Sequence, residues 1–363
     1  MAHMTDKQRF LACMDYQPVD HTPFWDWGAW PESIERWLKE GYQPNFNDPA
    51  RLADERLFFG EWFFPNPPFA RTVVSEDETH VTYINHEGIL MKERKDQPMS
   101  SMPQFLKFPV ETRADFRKFW RERMNADLAQ RIGPGWQAQL RLWSADERPF
   151  GIISDRWGGF FGPLRNLVGV EKLCMLFYDD PAFVEEMMEA NADFIIAMMG
   201  QILDATSLDA FIFWEDMGYK AGPLISPAHA RKFMLPRYRR VVDFLRSRGV
   251  KYIGLDSDGQ VDLLIPVWLD AGLNCLYPFE VQAGMDELAV RRKYGKELRI
   301  WGGVDKRALA LGPDAIDAEL ARVHPMMLEG GYIPHTDHSI PPDVPFQNYV
   351  YYMKKLSEVS RQL

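Results

Sequence analysis

The segment KYIGLDSDGQVDLLIPVWLDAGLNCLYPFE, residues 251–280, holds one complete unit of the predicted fold. A short apolar run ends in acidic residues at 256–258, a helix-like stretch follows, and a second apolar run ends at Glu280. Alternation of short apolar runs with longer helical patterns is typical of parallel strands joined by crossover helices. This segment therefore predicts an α/β fold with a parallel sheet.

The same unit repeats through the second half of the chain. Apolar runs with polar ends recur in DAFIFWED (209–216), LRIWGGVD (298–305) and GYIPHTDH (331–338). A helix is predicted over 181–204, with Asp180-Pro181 as cap and first helical residue. Another is predicted from Ser226-Pro227 to Gly249, where the chain needs a residue that tolerates positive φ. Five strands are thus predicted in this half.

Three further strands are predicted upstream, in HTPFWDWG (21–28), near 71–74, and in FGIISDRWG (150–158). Eight strands in this order predict a (β/α)8 TIM barrel that forms a single domain over 1–363. The segment THVTYINHEGILMKE (79–93) alternates in polarity and turns at Glu87-Gly88, which predicts an inserted β-hairpin near the N-terminal third. Residues 1–3, ahead of a second methionine at Met4, are typical of a cloning remnant.

Charge and composition argue against several classes of function. The formal net charge of -10 leaves no basic footprint for nucleic acid. The longest apolar runs, such as FIIAMM (194–199), are far shorter than a membrane span, so a cytoplasmic protein is expected. The three cysteines are widely scattered, which predicts neither a disulfide framework nor a Cys-only metal site.

Ionisable side chains stand at the ends of nearly all the later strands. In a barrel these ends meet at one face, where the active sites of this fold are built. Individual residues could instead cap the following helices or form ion pairs in the barrel mouth. The residues are Glu215, Asp216, Asp256, Asp258, Glu280, Asp305, His335, Asp337 and His338.

Carboxylates gathered in one barrel mouth repel each other and need a proton, a cation or a cationic substrate. Asp256, Asp258 and Glu280 supply hard oxygen atoms and His338 supplies an imidazole, a set compatible with zinc, manganese or iron. Cys275 lies within a strand and is predicted to pack in the core. We therefore expect a divalent metal at this face.

Two arginines and two glycine pairs follow strands. Arg156 and Arg165 lie beside and within GGFFGPLRN (158–166) and could pair with a substrate carboxylate or phosphate, or with structural acids. Gly158-Gly159 and Gly302-Gly303 would let the backbone approach a ligand closely. Neither pair forms a phosphate-loop or dinucleotide-binding motif.

The chain resembles the uroporphyrinogen decarboxylase superfamily over most of its length. The resemblance is carried by the segment 251–280, by KYGKELRIWGGVDKRAL (293–309) and by EGGYIPHTDHSIPPDVPFQNY (329–349). This superfamily contains porphyrin decarboxylases and zinc-dependent methyltransferases that feed corrinoid proteins or coenzyme M. The resemblance implies a barrel enzyme with a small-molecule substrate, and dimerisation is common among its members.

In the methyltransferase branch, zinc is held by a His-x-Cys-Gly motif and by a cysteine ahead of a proline-rich stretch. Here Asp256-Ser257-Asp258-Gly259 stands in the first place, and His338 stands ahead of Pro341-Pro342 in the second. The resemblance implies that Asp256, Asp258 and His338 hold a divalent metal, most often zinc in this branch. It also implies that Glu215 or Glu280 completes the shell or acts as general acid, with a corrinoid protein as methyl acceptor.

The decarboxylase branch begins with an Arg-Gln-Ala-Gly-Arg stretch whose cations hold the acidic side chains of a porphyrin. This chain has FWDWGAW (24–30) in that region, so a polycarboxylate tetrapyrrole would lose its counter-charges. Trp25, Trp27 and Trp30 instead favour an apolar or cationic substrate, such as a methoxylated aromatic or a methylammonium group. They could equally fill the barrel.

Three functions follow from these observations. The leading one is a metal-dependent methyltransferase or demethylase with a corrinoid or thiol acceptor. The second is a metal-free decarboxylase in which Arg156 or Arg165 binds a carboxylate and a strand-end acid donates the proton. The third is a non-catalytic binding protein with a degenerate site.

Overall fold

The computed structural model describes residues 3–96 and 102–363, so Met1 and Ala2 of the predicted cloning remnant lie outside it. Its strands are β1 (Leu57–Phe59), β2 (Thr72–Glu76), β3 (His80–Ile84), β4 (Leu90–Arg94), β5 (Gln104–Lys107), β6 (Phe150–Ile153), β7 (Ala210–Trp214), β8 (Gly218–Tyr219), β9 (Gly222–Pro223), β10 (Tyr252–Asp256), β11 (Cys275–Tyr277), β12 (Arg299–Trp301) and β13 (Tyr332–Ile333). Its helices are α1 (Asp6–Met14), α2 (Pro31–Lys39), α3 (Arg113–Arg123), α4 (Leu128–Ile132), α5 (Trp136–Ser144), α6 (Gly162–Val168), α7 (Val170–Asp179), α8 (Pro181–Ala205), α9 (Pro227–His229), α10 (Leu235–Ser247), α11 (Ile265–Asp270), α12 (Glu287–Tyr294), α13 (Lys306–Leu311), α14 (Pro313–Glu329) and α15 (Phe346–Val359).

Seven parallel strands form one curled sheet in the order β1-β6-β7-β10-β11-β12-β13. All five strands predicted after residue 200 and the predicted strand in 150–158 are in this sheet. The predicted helix over 181–204 is confirmed as α8, and the helical segment capped by Ser226 ends ahead of Gly249, whose φ is 88°. The α/β class is confirmed, but the sheet is not closed into an eight-stranded barrel by hydrogen-bonded strands in the described residues.

The segment 21–28, predicted to be a strand, lies between the two edges of the sheet without becoming one. Trp25 N donates to Pro334 O beyond β13 (3.2 Å), and Phe24 O accepts from Asp54 N ahead of β1 (3.0 Å). Pro23 has no N–H to donate, and Gly28 turns the chain at a φ of 85°. The segment therefore connects the two edges of the sheet, at β1 and β13, through isolated hydrogen bonds and not through a strand ladder.

The strand predicted near 71–74 was assigned to the wrong sheet. β2 is exposed at all five positions and pairs antiparallel with β3, whereas a strand of the central sheet is covered on both faces. The central strand of this region is the three-residue β1 instead. The predicted hairpin in 79–93 is confirmed as β3 and β4, which β2 and β5 extend to a four-stranded sheet.

Alternate residues of the central strands point into the barrel and form a small aromatic core of their own. Trp301, Tyr252, Tyr277 and Ile333 belong to it, while the intervening positions pack outward against the helices. Phe10 of α1 closes the bottom of this inner core, with its ring centroid 5.6 Å from that of Tyr252 and 6.1 Å from that of Trp301. The opposite end, where the strands finish, is left for polar side chains.

No helix in the described ranges is long and apolar enough to cross a bilayer.

We expect Phe10→Ala to lower the free energy of unfolding by about 3–5 kcal/mol, because it empties the bottom of the inner core. Urea denaturation followed by circular dichroism measures the change. Phe46→Ala is the matched control, since Phe46 is 86% exposed and should cost less than about 0.5 kcal/mol. Equal effects of the two substitutions would contradict this role for α1.

Candidate active site at the strand ends

Inward-facing positions at the strand ends place a layer of polar side chains above the aromatic core. Asp256 ends β10, Tyr277 ends β11, and His335 follows β13 by two residues. Asp155 follows β6 by two residues, in a turn, and is close enough to Asp256 and Tyr277 to raise the pKa of both. These four residues come from four strands, and they define the candidate site.

Asp256 is the centre of a group of acids. Burial raises the pKa of Asp256 well above its usual value, and repulsion from Asp258, Asp216 and Asp155 raises it further. Asp256 as a whole residue is half-buried, whereas its neighbours Leu255 and Ser257 are buried. A carboxyl group in this setting favours its protonated form and can donate a proton.

Asp258 and His338, both predicted as metal ligands, are brought together. His338 Nε2 lies 3.5 Å from Asp258 Oδ2, and the imidazole stacks on the Trp30 ring at a centroid distance of 5.7 Å. Ser339 N donates to His338 Nδ1 (2.8 Å), which leaves the proton of a neutral ring on Nε2, facing Asp258. The pair is thus held by both the aromatic N-terminal segment and the last loop.

Glu280, predicted as catalytic, lies beside this pair. Its Oε2 accepts from Gly259 N (3.1 Å), and its Oε1 is 3.7 Å from Lys306 Nζ. Lys306 also lies 3.4 Å from the fully buried Asp337, which accepts from the backbone of Val281 and of Lys306. Sequence reasoning missed Lys306, which supplies positive charge to an otherwise acidic mouth.

Glu215, the other residue predicted as catalytic, is fully buried and has four donors. Its oxygens accept from the backbone N–H groups of residues 160, 161 and 162 at 2.7, 2.6 and 2.9 Å, and from the Tyr238 hydroxyl. The loop comes this close because Gly159 has no Cβ, which would lie 2.0 Å from Trp214 O. These contacts favour a positioning role, in which Glu215 holds the loop after β6.

The two arginines predicted to bind substrate are engaged by acids of the protein. Arg156 Nε lies 3.1 Å from Glu87, which is buried at the turn of the inserted sheet. Arg165 pairs with the carboxylate of Asp216 and donates to its backbone carbonyl at 2.5 Å. In this structure both arginines therefore form the ion pairs that the sequence left as their alternative.

The two tryptophans predicted to bind substrate differ in position. Trp25 is 2% exposed and packs on Trp301 in the inner core, at a centroid distance of 5.0 Å. Trp27 is half-buried, stacks on His335 at 4.6 Å and meets Tyr277 edge-on at 5.1 Å. Trp27 therefore borders the candidate site, whereas Trp25 lies below it.

Backbone strain is concentrated at the mouth. Asp155, Asp216 and Phe279 have φ values of 43°, 42° and 63°, and the remaining non-glycine residue with positive φ in the described ranges is Tyr16. Each of these three residues follows the end of a central strand by two positions. Such left-handed conformations cost about 1–3 kcal/mol each and cluster at functional sites.

Within residues 3–96 and 102–363, no three side chains of His, Cys, Asp or Glu come close enough to share one metal ion. Asp258 and His338 are neighbours and Asp256 repels Asp258, but the three do not converge on a common point. In this arrangement the donor set does not fit a metal ion. Ligation by these residues stays a prediction based on their sequence positions.

The fold brings four residues to the site that were not assigned individual roles from the sequence: Arg56, Asp155 and Tyr277, which were not named, and His335, which was named only among the ionisable groups at the strand ends. Arg56 directly precedes β1, a strand too short to be recognised, and shares the inward face of Phe58. The other three stand at or just after predicted strands. Their inward position could have been found by extending the alternation of each strand into the loop that follows.

We expect Glu215→Gln to lower the free energy of unfolding by about 2–3 kcal/mol, because one oxygen becomes an amide that faces a donor group. Tyr238→Phe removes one donor only and should cost about 1 kcal/mol. Urea denaturation measures both, with Glu297→Gln at an exposed position as control. A Glu215→Gln protein as stable as the control variant would contradict the positioning role.

Comparisons with known proteins agree with this fold. The model of the family described as uroporphyrinogen decarboxylase (URO-D) matches residues 158–359. A uroporphyrinogen decarboxylase from Hydrogenovibrio crunogenus is 23% identical over 202 residues, which are 52% of this chain and 52% of that protein. The match thus spans about half the length of the curated relative.

Two solved structures can be superposed over nearly the whole chain. A methyltransferase from Methanosarcina mazei is 19% identical, with a TM-score of 0.63 over 98% of this chain and 99% of the other. A B12-independent methionine synthase from Shewanella sp. W3-18-1 is 9% identical, with a TM-score of 0.46 over 94% and 97% of the two chains. At these identities the first structure supports the fold alone. The family model matches more than half of the sequence and includes five of the seven central strands. The chain therefore belongs to the uroporphyrinogen decarboxylase family.

Proposed function

We propose that this protein is an enzyme that removes a methyl group from a small methoxylated or methylated substrate, with Asp256 as the general acid. The observation that carries the proposal is the setting of Asp256, which ends β10 on the inward face beside Asp155, Asp216 and Asp258, with burial and these three acids raising the pKa of its carboxyl group. A perturbed acid at the strand ends of a barrel is a typical catalytic group. The methyl acceptor would be a reduced corrinoid or a thiolate.

The proposed step transfers one methyl group and one proton. The acceptor's electron pair forms the new bond to the methyl carbon while the bond from carbon to oxygen breaks. The electrons of the broken bond stay on oxygen, which takes the proton of Asp256 and leaves as a hydroxyl group. Asp256 then regains its proton from water. Protonation of the leaving oxygen by a positioned acid contributes about 10²–10⁴-fold to a rate.

The charges of the mouth favour a small substrate over a polycarboxylate tetrapyrrole. Asp155, Asp216 and Asp258 surround Asp256, and the arginines at 156 and 165 are already paired with acids. A ligand with many carboxylates would be repelled and would find few free cations. The aromatic rings of Trp27 and Tyr277 instead offer an apolar wall for one aromatic ring.

Decarboxylation of a small substrate is the second candidate, and the sequence match to a uroporphyrinogen decarboxylase favours it. In that reaction Asp256 would protonate the carbanion left by loss of carbon dioxide. The two candidates share the acid and differ in their products. Measurement of both carbon dioxide and methylated acceptor therefore separates them.

We expect the wild-type protein to form methylcobalamin from cob(I)alamin and a methoxylated benzene, and Asp256→Asn to lower the rate by about 10²–10⁴-fold. Liquid chromatography with mass spectrometry measures methylcobalamin and the phenol product. Asp243→Asn, at an exposed position, should retain the rate. Because the acid must be protonated, kcat/KM should fall as pH rises through the raised pKa of Asp256.

Release of carbon dioxide from carboxylated substrates without methyl transfer would favour the second candidate. Absence of both products with a panel of methoxylated, methylated and carboxylated substrates would contradict an enzymatic role for Asp256.

Elemental analysis tests the separate prediction that Asp256, Asp258 and His338 hold a metal. The ligand positions predicted from the sequence would give about one transition-metal ion per chain in protein purified without chelator, and its loss in His338→Ala; a metal-bound Asp256 would be deprotonated and could not be the general acid. His324→Ala, on the surface of α14, is the control. Metal-free protein in all three preparations would contradict the predicted ligand set and leave the role of Asp256 as acid unchanged.

A further inference from the structure

Arg56 is a half-buried cation that forms no salt bridge with a carboxylate of the described residues. Its guanidinium carbon lies 4.5 Å from the Trp25 ring centroid and 5.8 Å from that of Trp27. The guanidinium makes one hydrogen bond, from Nη2 to the backbone oxygen of Asp26 at 3.2 Å. Burial lowers the pKa of Arg56 to about 10, so the group still carries its charge at neutral pH.

The nearby acids are occupied by other partners. Asp26 Oδ1 accepts from the Tyr349 hydroxyl at 2.9 Å, and Asp54 pairs with Arg9. Glu55 lies 2.9 Å from Arg148. Asp26 is still close enough to act on Arg56 electrostatically, but its carboxylate is turned to Tyr349 and makes no direct contact with the guanidinium, so most of the guanidinium donors have no partner. An anionic ligand would supply that partner.

Two further polar atoms beside Arg56 lack a partner in the described part of the chain. His335 Nε2 is fully buried and has no partner, and the Tyr277 hydroxyl is fully buried with Asp256 as its nearest acid but with no hydrogen bond of good geometry. Both rings contact Trp27, which Arg56 also approaches. His335 Nδ1 lies 2.7 Å from Thr336 O, and a carbonyl can only accept, so Nε2 is a free acceptor.

We propose that Arg56 and Tyr277 form an anion subsite beside Trp27 that binds the single carboxylate of a small aromatic substrate. Arg56 and the Tyr277 hydroxyl donate to the carboxylate, Trp27 packs on the aromatic ring, and His335 Nε2 accepts from a donor group of the ligand. The inference rests on the proposed function and defines its substrate class as aromatic carboxylates that carry a methyl group to be removed.

The subsite fits one negative charge and not several. Tyr277 is close enough to Asp256 and Asp155 for both to raise the pKa of its hydroxyl, after the larger effect of burial. A second carboxylate of the ligand would face these acids without a cation. The outer side of Arg56 borders a cavity of about 480 Å³ that is also lined by Asp26, Asp48, Asp54 and Glu55, which would repel an anion there.

Isothermal titration calorimetry with benzoate and with benzyl alcohol tests the subsite without any turnover. We expect wild-type protein to bind benzoate more tightly than the neutral alcohol, and Arg56→Gln to weaken benzoate binding by about ten- to hundredfold. Binding of benzyl alcohol should not change in Arg56→Gln. Arg51→Gln is the matched control, because Arg51 is an exposed arginine on the rim of the same cavity.

Thermal unfolding of each variant shows whether it is folded. Tyr277→Phe is a second test variant, which removes one hydrogen-bond donor and no charge. We expect Tyr277→Phe to weaken benzoate binding by about tenfold or more, the value of one hydrogen bond to a charged group. Equal benzoate affinities of wild type and folded Arg56→Gln would overturn the subsite, as would equal affinities of wild type for benzoate and the alcohol. Because benzoate has no methyl group to lose, these results are independent of whether methyl transfer is observed.

Discussion

The alternation of the central strands between an inner and an outer face is the constraint on which the rest of this structure depends. Each strand is short, and every second residue points into a space that aromatic rings fill to the level of Trp301 and Tyr252. The next inward position on each strand has no apolar neighbour above it. Polar side chains can occupy this layer because it opens towards solvent, and residues far apart in sequence therefore meet there.

The electrostatics of the mouth follow from this crowding. The acids at the strand ends outnumber the cations that reach them, so the protein relieves repulsion in several ways. Arg165 neutralises Asp216, Lys306 lies between Glu280 and Asp337, and a proton is favoured on Asp256. Arg56 is the exception, a cation whose neighbouring acids all have other partners. The strand ends therefore carry a protonated acid, Asp256, and a separate cation, Arg56, which is proposed to bind an anion.

The family relationship accounts for the scaffold, while the chemistry depends on residues specific to this chain. Asp258 and His338 were predicted as metal ligands from the resemblance to the methyltransferase branch, and the fold does bring the two side chains together. Their contacts in this structure are with each other and, for His338, with the ring of Trp30.

The sequence by itself determined the α/β class, the order of the strands from residue 150 onward, the inserted hairpin and the gathering of acids at one face. These follow from local periodicity and from the geometry that all parallel barrels share. It did not locate the first central strand, because three residues carry too little pattern and burial on both faces depends on neighbours distant in sequence. Only the tertiary structure decided which charged groups are free. Asp26, for example, is occupied by Tyr349, 323 residues away, and Arg156 by Glu87 of the inserted sheet. The pairing of a side chain depends on contacts between remote segments, so the availability of Arg56 could be established only once the chain was folded.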